Sequence, residues 1–258
     1  MGTRTTATRG KTRTTNRAER WTRLREAVRS NYGLAKVEPV DGWRTLGDEG
    51  IWRSIVGQVA TIGSSRPWDK MKASWIGSGL EYAAILAVLD TGGTEAVASL
   101  IQQRFSNAGV RYAGGGAAPS AKALACASNL VRIRALGGPT RFAEIIANIK
   151  EDRERIELTR ALLAMVAEKG ARDLLMGFGL LRNSIAFDAR VMSVLREAKL
   201  TDEEKAPSNR ATYAALEREI IAEVATPLNI EPVVVDRTLY QRTAEVIAAL
   251  AGQRSKGP

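Results

Sequence analysis

Apolar positions in this chain recur at three- and four-residue intervals, the spacing that lines one face of an α-helix. No segment sustains the alternation of a β-strand. Trp52, Ile55, Val56 and Val59 share one face of GIWRSIVGQVATIGSS, a helix that begins at Asp48-Glu49. Other helices are expected over 18–31, from Arg66-Pro67-Trp68 to Trp75, over 79–90 and 94–106, from Ser120-Ala121-Lys122-Ala123, and over 209–225. A last helix opens at Ile230-Glu231-Pro232, with proline near its first position.

Residues 151–198 organise the rest. Ile156, Leu162, Leu163 and Val166 fall on one face before a turn at Ala167-Glu168-Lys169-Gly170, and a second turn surrounds Gly177-Phe178-Gly179. Phe187, Val191, Val194, Leu195 and Ala198 then repeat at i, i+4, i+7, i+8 and i+11. Asp188 stands at the mouth of that third helix, where a carboxylate accepts the first free N–H groups. The fold class is therefore all-α.

Charge and composition narrow the function. The 258 residues carry a formal net charge of +10, which favours a polyanionic partner such as nucleic acid. Arg4, Arg9, Lys11, Arg13, Arg17 and Arg20 punctuate a Thr-rich start, so residues 1–17 read as a disordered basic arm. That arm either tracks phosphates or only solubilises the chain. Residues 18–250 form the folded domain and 251–258 a loose tail. A single cysteine, Cys126, excludes a disulfide framework and a four-cysteine iron–sulfur cluster, and the lack of histidine argues against a zinc site. No metal or cofactor is expected, so acid–base work falls to Asp, Glu, Lys or Tyr. No apolar run of membrane-spanning length and no secretory signal is evident, which reads as a soluble, cytoplasmic, nucleoid-associated protein with no membrane partner. The run Gly114-Gly115-Gly116 follows no strand and lacks the spacing of a nucleotide-binding fingerprint.

The segments EKGARDLLMGFG and IAFDARVMSVL give the chain its family likeness. It resembles the helix-hairpin-helix DNA glycosylase superfamily, and within it the 8-oxoguanine DNA glycosylases of the archaeal and second types. The resemblance implies two helical subdomains with a cleft between them, a hairpin at about 151–179 and a catalytic helix at about 188–199. It places Lys169 and Asp188 on the catalytic lysine and aspartate. Gln58-Val59-Ala60-Thr61 is similar to the family's Gln-Ala-Thr element, whose glutamine enters the gap left by an extruded base. Lys122, Gly170 of the hairpin and Arg190 beside the aspartate join Gln58 as implied DNA contacts. Flipped bases are held between aromatic faces, which makes Trp52, Trp68 and Trp75 candidate pocket walls. Asp236 and Tyr240, one turn apart on the closing helix, are further pocket candidates.

Each of these residues also has an ordinary structural reading. Asp188 is a helix cap in its own right, Lys169 a solvated lysine, Gln58 a solvent-facing helix residue, and the tryptophans core. Asp236 and Tyr240 are equally placed to pair with Arg237 and pack on the core. The hairpin departs from the family in one respect: Met165-Val166-Ala167-Glu168 replaces a glycine-rich turn, and a bare Glu168 opposes a phosphate.

The implied activity is that of a monomeric DNA glycosylase that flips a damaged or modified base out of double-stranded DNA and hydrolyses its N-glycosidic bond. Asp188 would stabilise the oxocarbenium-like state, and Lys169 is a candidate Schiff-base nucleophile; without that role the enzyme would be monofunctional, using water and leaving an abasic site. The target would be 8-oxoguanine or a modified base, including the hypermodified bases of phage DNA, which would make this a phage-defence enzyme. The alternative is a non-catalytic DNA-binding protein on the same scaffold. A helical protein-interaction module is disfavoured by the charge.

Overall fold

The structure, a computed structural model, describes residues 16–114 and 118–254. Helix α1 (Arg17–Arg29) is followed by 3-10 turns at Tyr32–Leu34 and Gly42–Thr45. Then come α2 (Gly47–Ala60), α3 (Arg66–Ala73), α4 (Tyr82–Ala108), α5 (Ala121–Ala135), α6 (Pro139–Ala147), α7 (Asp152–Leu162) and α8 (Glu168–Gly177). The chain continues with α9 (Ala189–Glu197), α10 (Arg210–Ile220), a π turn (Ile221–Ala225), α11 (Thr226–Leu228), α12 (Pro232–Gln241) and α13 (Thr243–Arg254). The described residues contain no strand, so the all-α class holds.

The helices fall into two compact units. The larger contains Lys36–Ala186 with Glu231–Asp236 and is built around α2. That helix buries Ile51, Trp52, Ile55, Val56 and Val59, and it packs against α3, α4, α5, α6 and α8. Burying several such side chains at once, each contributing about 1.5–3 kcal/mol, is what fixes the position of α2 and hence of Gln58 on it. Helix α4 is 27 residues long and, by length and composition, apolar enough to cross a membrane. Its backbone leaves the helical region at Gly93 (φ 68°, ψ −170°), so it is in effect the two helices expected on either side of that glycine. Its second half packs Val97, Ala98, Ile101 and Phe105 into the core beside α5.

Of the described residues, the smaller unit contains 16–35, Phe187–Ile230 and 237–254. Helix α1 begins at Arg17 behind a capping box. Asn16 accepts from the Glu19 N–H at 3.1 Å, and Glu19 in turn accepts from the Asn16 N–H at 3.2 Å. Arg17, assigned to the basic arm, is thus helical and pairs with Glu219 at 2.7 Å. The rest of that proposed arm, residues 1–15, and the end of the tail, 255–258, lie outside the described residues. Trp21, Leu24, Ala27 and Val28 of α1 are buried, and α1 packs on α13 and the π turn. Helix α9 packs on α13 as well, and the periodic face read from the sequence is turned inward: Phe187, Val191, Val194, Leu195 and Ala198 are all buried.

Candidate active site

The hairpin turn lies earlier than its sequence suggests. Helix α7 stops at Leu162, the turn occupies 163–167, and Glu168, Lys169 and Gly170 form the first turn of α8. Two features place it there. Met165 adopts a left-handed backbone (φ 58°), and buried Asn129 of α5 grips the turn from both sides, its Oδ1 accepting from the Ala164 N–H at 2.7 Å and its Nδ2 donating to the Ala164 carbonyl at 3.2 Å. Arg132, one turn further along α5, donates to the Leu162 carbonyl at 3.2 Å. The second turn is where it was expected. Gly179 has φ 70°, and a Cβ there would sit 1.9 Å from the Pro39 carbonyl oxygen, so only glycine fits.

Helix α8 has no side-chain cap at Ala167, which leaves its first turn an electropositive end. Glu168 does not present a bare charge there. Its carboxylate lies 2.8 Å from Arg160 and is also paired with Arg172, which is almost fully buried, so the unfavourable feature expected of this turn is neutralised.

Lys169 is a third exposed, and its Nζ is 3.6 Å from Asp173 Oδ2, one turn along α8. The same carboxylate oxygen accepts from Gln58 Nε2 at 2.9 Å. Gly170 completes the group: a Cβ on it would meet Gln58 Oε1 at 3.6 Å and Val166 at 3.5 Å. Three residues singled out from separate motifs, Gln58, Lys169 and Gly170, therefore converge, and the residue that joins them is Asp173. Its i, i+4 relation to Lys169 was the available signal, and nothing in the sequence ties it to Gln58.

In the smaller unit Asp188 is the N-cap of α9, its Oδ1 accepting from the Arg190 and Val191 N–H groups at 2.9 and 2.8 Å. The side chain is half-buried, and Ala189 and Arg190 beside it are exposed. The chain leading to Asp188 has no regular secondary structure and is held by side chains. Buried Tyr213 of α10 accepts from the Phe187 N–H at 3.0 Å through its hydroxyl, and its ring packs edge-on against Phe187 at 4.6 Å between centroids. Arg190 holds its guanidinium 4.6 Å from the ring centre of Tyr240 on α12. Tyr213 had no sequence signal of its own.

In the larger unit Asp236, at 1% exposure, accepts from the Ala186 N–H at 2.7 Å. It is a backbone clamp on the approach to Asp188 rather than a residue open to a base.

Other candidates turn out to be structural. Lys122 is 1% exposed, and its ammonium donates to the carbonyls of Ala60 at 3.2 Å and Ile62 at 2.7 Å, closing the C-terminal end of α2. A phosphate at the surface cannot reach it. Burial moves Lys122 below the ordinary lysine range and pushes the buried Cys126 thiol up to about 12. Trp52 is core, donating from Nε1 to the Leu80 carbonyl at 2.9 Å, and Trp75 is core with its Nε1 on Glu49. Trp68 stays partly exposed, stacked edge-on to Trp75 and resting on Gly57, where a Cβ would strike its ring at 2.7 Å.

No family model matches the sequence, and no curated protein matches it. Solved structures do. The 8-oxoguanine glycosylase/lyase of Methanocaldococcus jannaschii, solved in complex with a 15mer DNA containing 8-oxoguanine, superposes with a TM-score of 0.58 at 14% identity, over 89% of this chain and 98% of that one. A second structure of 8-oxoguanine DNA glycosylase from the same organism gives 0.58 at 14% identity over 88% and 92%. Tm1821, the 8-oxoguanine DNA glycosylase of Thermotoga maritima, gives 0.50 at 17% identity over 87% and 94%. The chain has the fold of the 8-oxoguanine DNA glycosylases over nearly its whole length.

Proposed function

We propose that this protein is a DNA glycosylase that extrudes a damaged or modified base from duplex DNA and cleaves its N-glycosidic bond. The observation that carries this reading is Asp188: an ionisable carboxylate at an exposed helix mouth, in the IAFDARVMSVL motif, on a fold shared with 8-oxoguanine glycosylases. Cleaving the bond to the base builds positive charge on the sugar, and a carboxylate held rigidly beside it lowers that barrier. Two N–H donors fix Asp188 through Oδ1 alone.

Lys169 is the nucleophile of this reading. Its attack on C1′ gives a Schiff base and, by later elimination, strand cleavage, so the enzyme is bifunctional. Assigning Lys169 and Asp188 to one nucleotide rests on the resemblance of their two motifs. Gly170 and Arg190 are the DNA contacts, while Gln58 is engaged by Asp173. Trp68 in the larger unit and Tyr240 in the smaller are the candidate aromatics that stay partly exposed. The target is 8-oxoguanine, as for the proteins of like fold, or another modified base, including those of phage DNA.

One observation favours the second reading, a DNA-binding protein without catalysis: two of the three candidate pocket tryptophans, Trp52 and Trp75, are core. The experiment that separates the two is release of free base from duplexes carrying 8-oxoguanine, uracil, alkylated purines or phage-type modified cytosines, scored with and without alkali. Free base with nicking before alkali is the expected result. Binding without base release from any duplex would leave the binding protein.

A further inference from the structure

The ion pair between Lys169 and Asp173 is more than a helix-surface contact. It is tied by a third residue from another helix, since Gln58 Nε2 holds the same Oδ2 that faces Lys169 Nζ. An exposed i, i+4 pair on a helix is ordinarily free to rotate away and contributes little. Here Asp173 is only about a quarter exposed, and its partner Gln58 sits on α2, the helix at the centre of the larger unit. Gly170 lies beside the pair, where a Cβ would only touch the Gln58 amide oxygen at 3.6 Å. The carboxylate is therefore fixed in place relative to Nζ, which is what a base needs in order to take a proton from a nucleophile.

Resting on the reading of Lys169 as nucleophile, we infer that Asp173 positions Lys169 and accepts the proton its ammonium must lose before attack, with Gln58 as the residue that holds Asp173 in register. On an abasic site the step is balanced as follows. The Lys169 ammonium passes one proton to Asp173, and the freed electron pair forms the bond from Nζ to the C1′ aldehyde carbon. The carbonyl oxygen takes that proton back from Asp173 and a second one lost by Nζ through the same carboxylate, and it leaves as water as the second carbon–nitrogen bond forms, so the protonated imine keeps one of the three ammonium protons. On an intact nucleotide the same attack breaks the bond from C1′ to the base, whose electron pair leaves with it and takes a proton from solvent.

An abasic duplex tests this without knowledge of the base. The full-length protein is incubated with the duplex and cyanoborohydride, and the rate of covalent trapping is measured against DNA concentration. Asp173→Asn keeps an acceptor for Gln58 and removes the proton acceptor. The trapping rate at saturating DNA should fall by about 10²-fold, within the range general bases contribute, while the half-saturating DNA concentration changes less than about threefold. Asp173→Glu should recover at least part of the rate, and Gln58→Leu should lower it by about tenfold with Asp173 present. Thermal melting of each variant separates this from loss of fold.

Trapping by Asp173→Asn at the wild-type rate would overturn the inference, as would a loss seen only in half-saturation. A wild-type protein that traps nothing would overturn it too. The glycosylase reading is judged separately, because base release revealed by alkali requires no Schiff base.

Discussion

Gln58 and Asp173, 115 residues apart in sequence, are joined by a 2.9 Å hydrogen bond from the glutamine amide to the carboxylate oxygen that also faces Lys169. This contact brings the motif on α2 to the first turn of α8. It also sets Gln58 against DNA engagement: an amide held by Asp173 must release it before it can enter a gap in the duplex.

Asp188 has two separable roles, and substitutions can part them. Asparagine caps a helix as well as aspartate, so Asp188→Asn should melt within about 0.5 kcal/mol of wild type, whereas Asp188→Ala loses both cap bonds and should cost about 0.5–2 kcal/mol. Urea unfolding followed by circular dichroism checks this. Equal stability of the two variants would show that the cap contributes nothing.

Tyr213→Phe removes one hydroxyl and keeps the ring contact with Phe187. The buried Phe187 N–H then has lost its acceptor, at a cost of about 1–3 kcal/mol. The same change loosens the chain next to Asp188, so base release should slow more than DNA binding weakens. A variant with wild-type stability would contradict the clamp.

Lys122 and Cys126 give stability opposite slopes in alkali. Burial sets Lys122 below its usual 10.5, so just under that pH the unfolded chain holds the extra proton and stability rises with pH. Cys126, raised from 9.0 to about 12, keeps its proton in the folded state while the unfolded thiol ionises, so its contribution falls from pH 9 upward. Lys122→Met should remove the first slope and, by leaving the Ala60 and Ile62 carbonyls without it, cost about 1–3 kcal/mol at neutral pH. Cys126→Ala should remove the second. Urea midpoints between neutral pH and pH 10 measure both, and salt dependence of DNA binding should be unchanged in Lys122→Met.

Gly179→Ala tests the turn that ends the hairpin. With φ at 70° and a carbonyl oxygen 1.9 Å from the new Cβ, the backbone from Pro39 to Gly42 must move. The loss should exceed about 3 kcal/mol, well beyond an ordinary surface change. A soluble, normally melting variant would show that the turn is not as close-packed as described.

The local features of this fold were legible in the sequence because they are local. The face Phe187, Val191, Val194, Leu195, Ala198 and the cap at Asp188 are set by residues within a few positions of one another, as is the break at Gly93. The hairpin turn was misplaced because Val166 continues the apolar period, and the residue that ends α7 early is Asn129, distant in sequence. Lys122 looked like a surface cation for the same reason: its acceptors, Ala60 and Ile62, lie on another helix. The tryptophans near α2 could not be sorted into core and surface by spacing, since Trp52, Trp68 and Trp75 differ only in what packs on them. Helix α6 depends on a partner distant in sequence, since Asp48 caps it across the larger unit by accepting from the Thr140 N–H at 2.8 Å.

In the proposed function Asp188 carries the chemistry of base excision. Wild type and Asp188→Asn should be compared for free base released from the modified duplex that wild type processes, with binding to the same duplex measured alongside. Base release should fall by at least about 10³-fold, equivalent to about 4 kcal/mol in the barrier, with duplex binding retained within a few-fold. Base release by Asp188→Asn at the wild-type rate would contradict it and return Asp188 to the role of a helix cap.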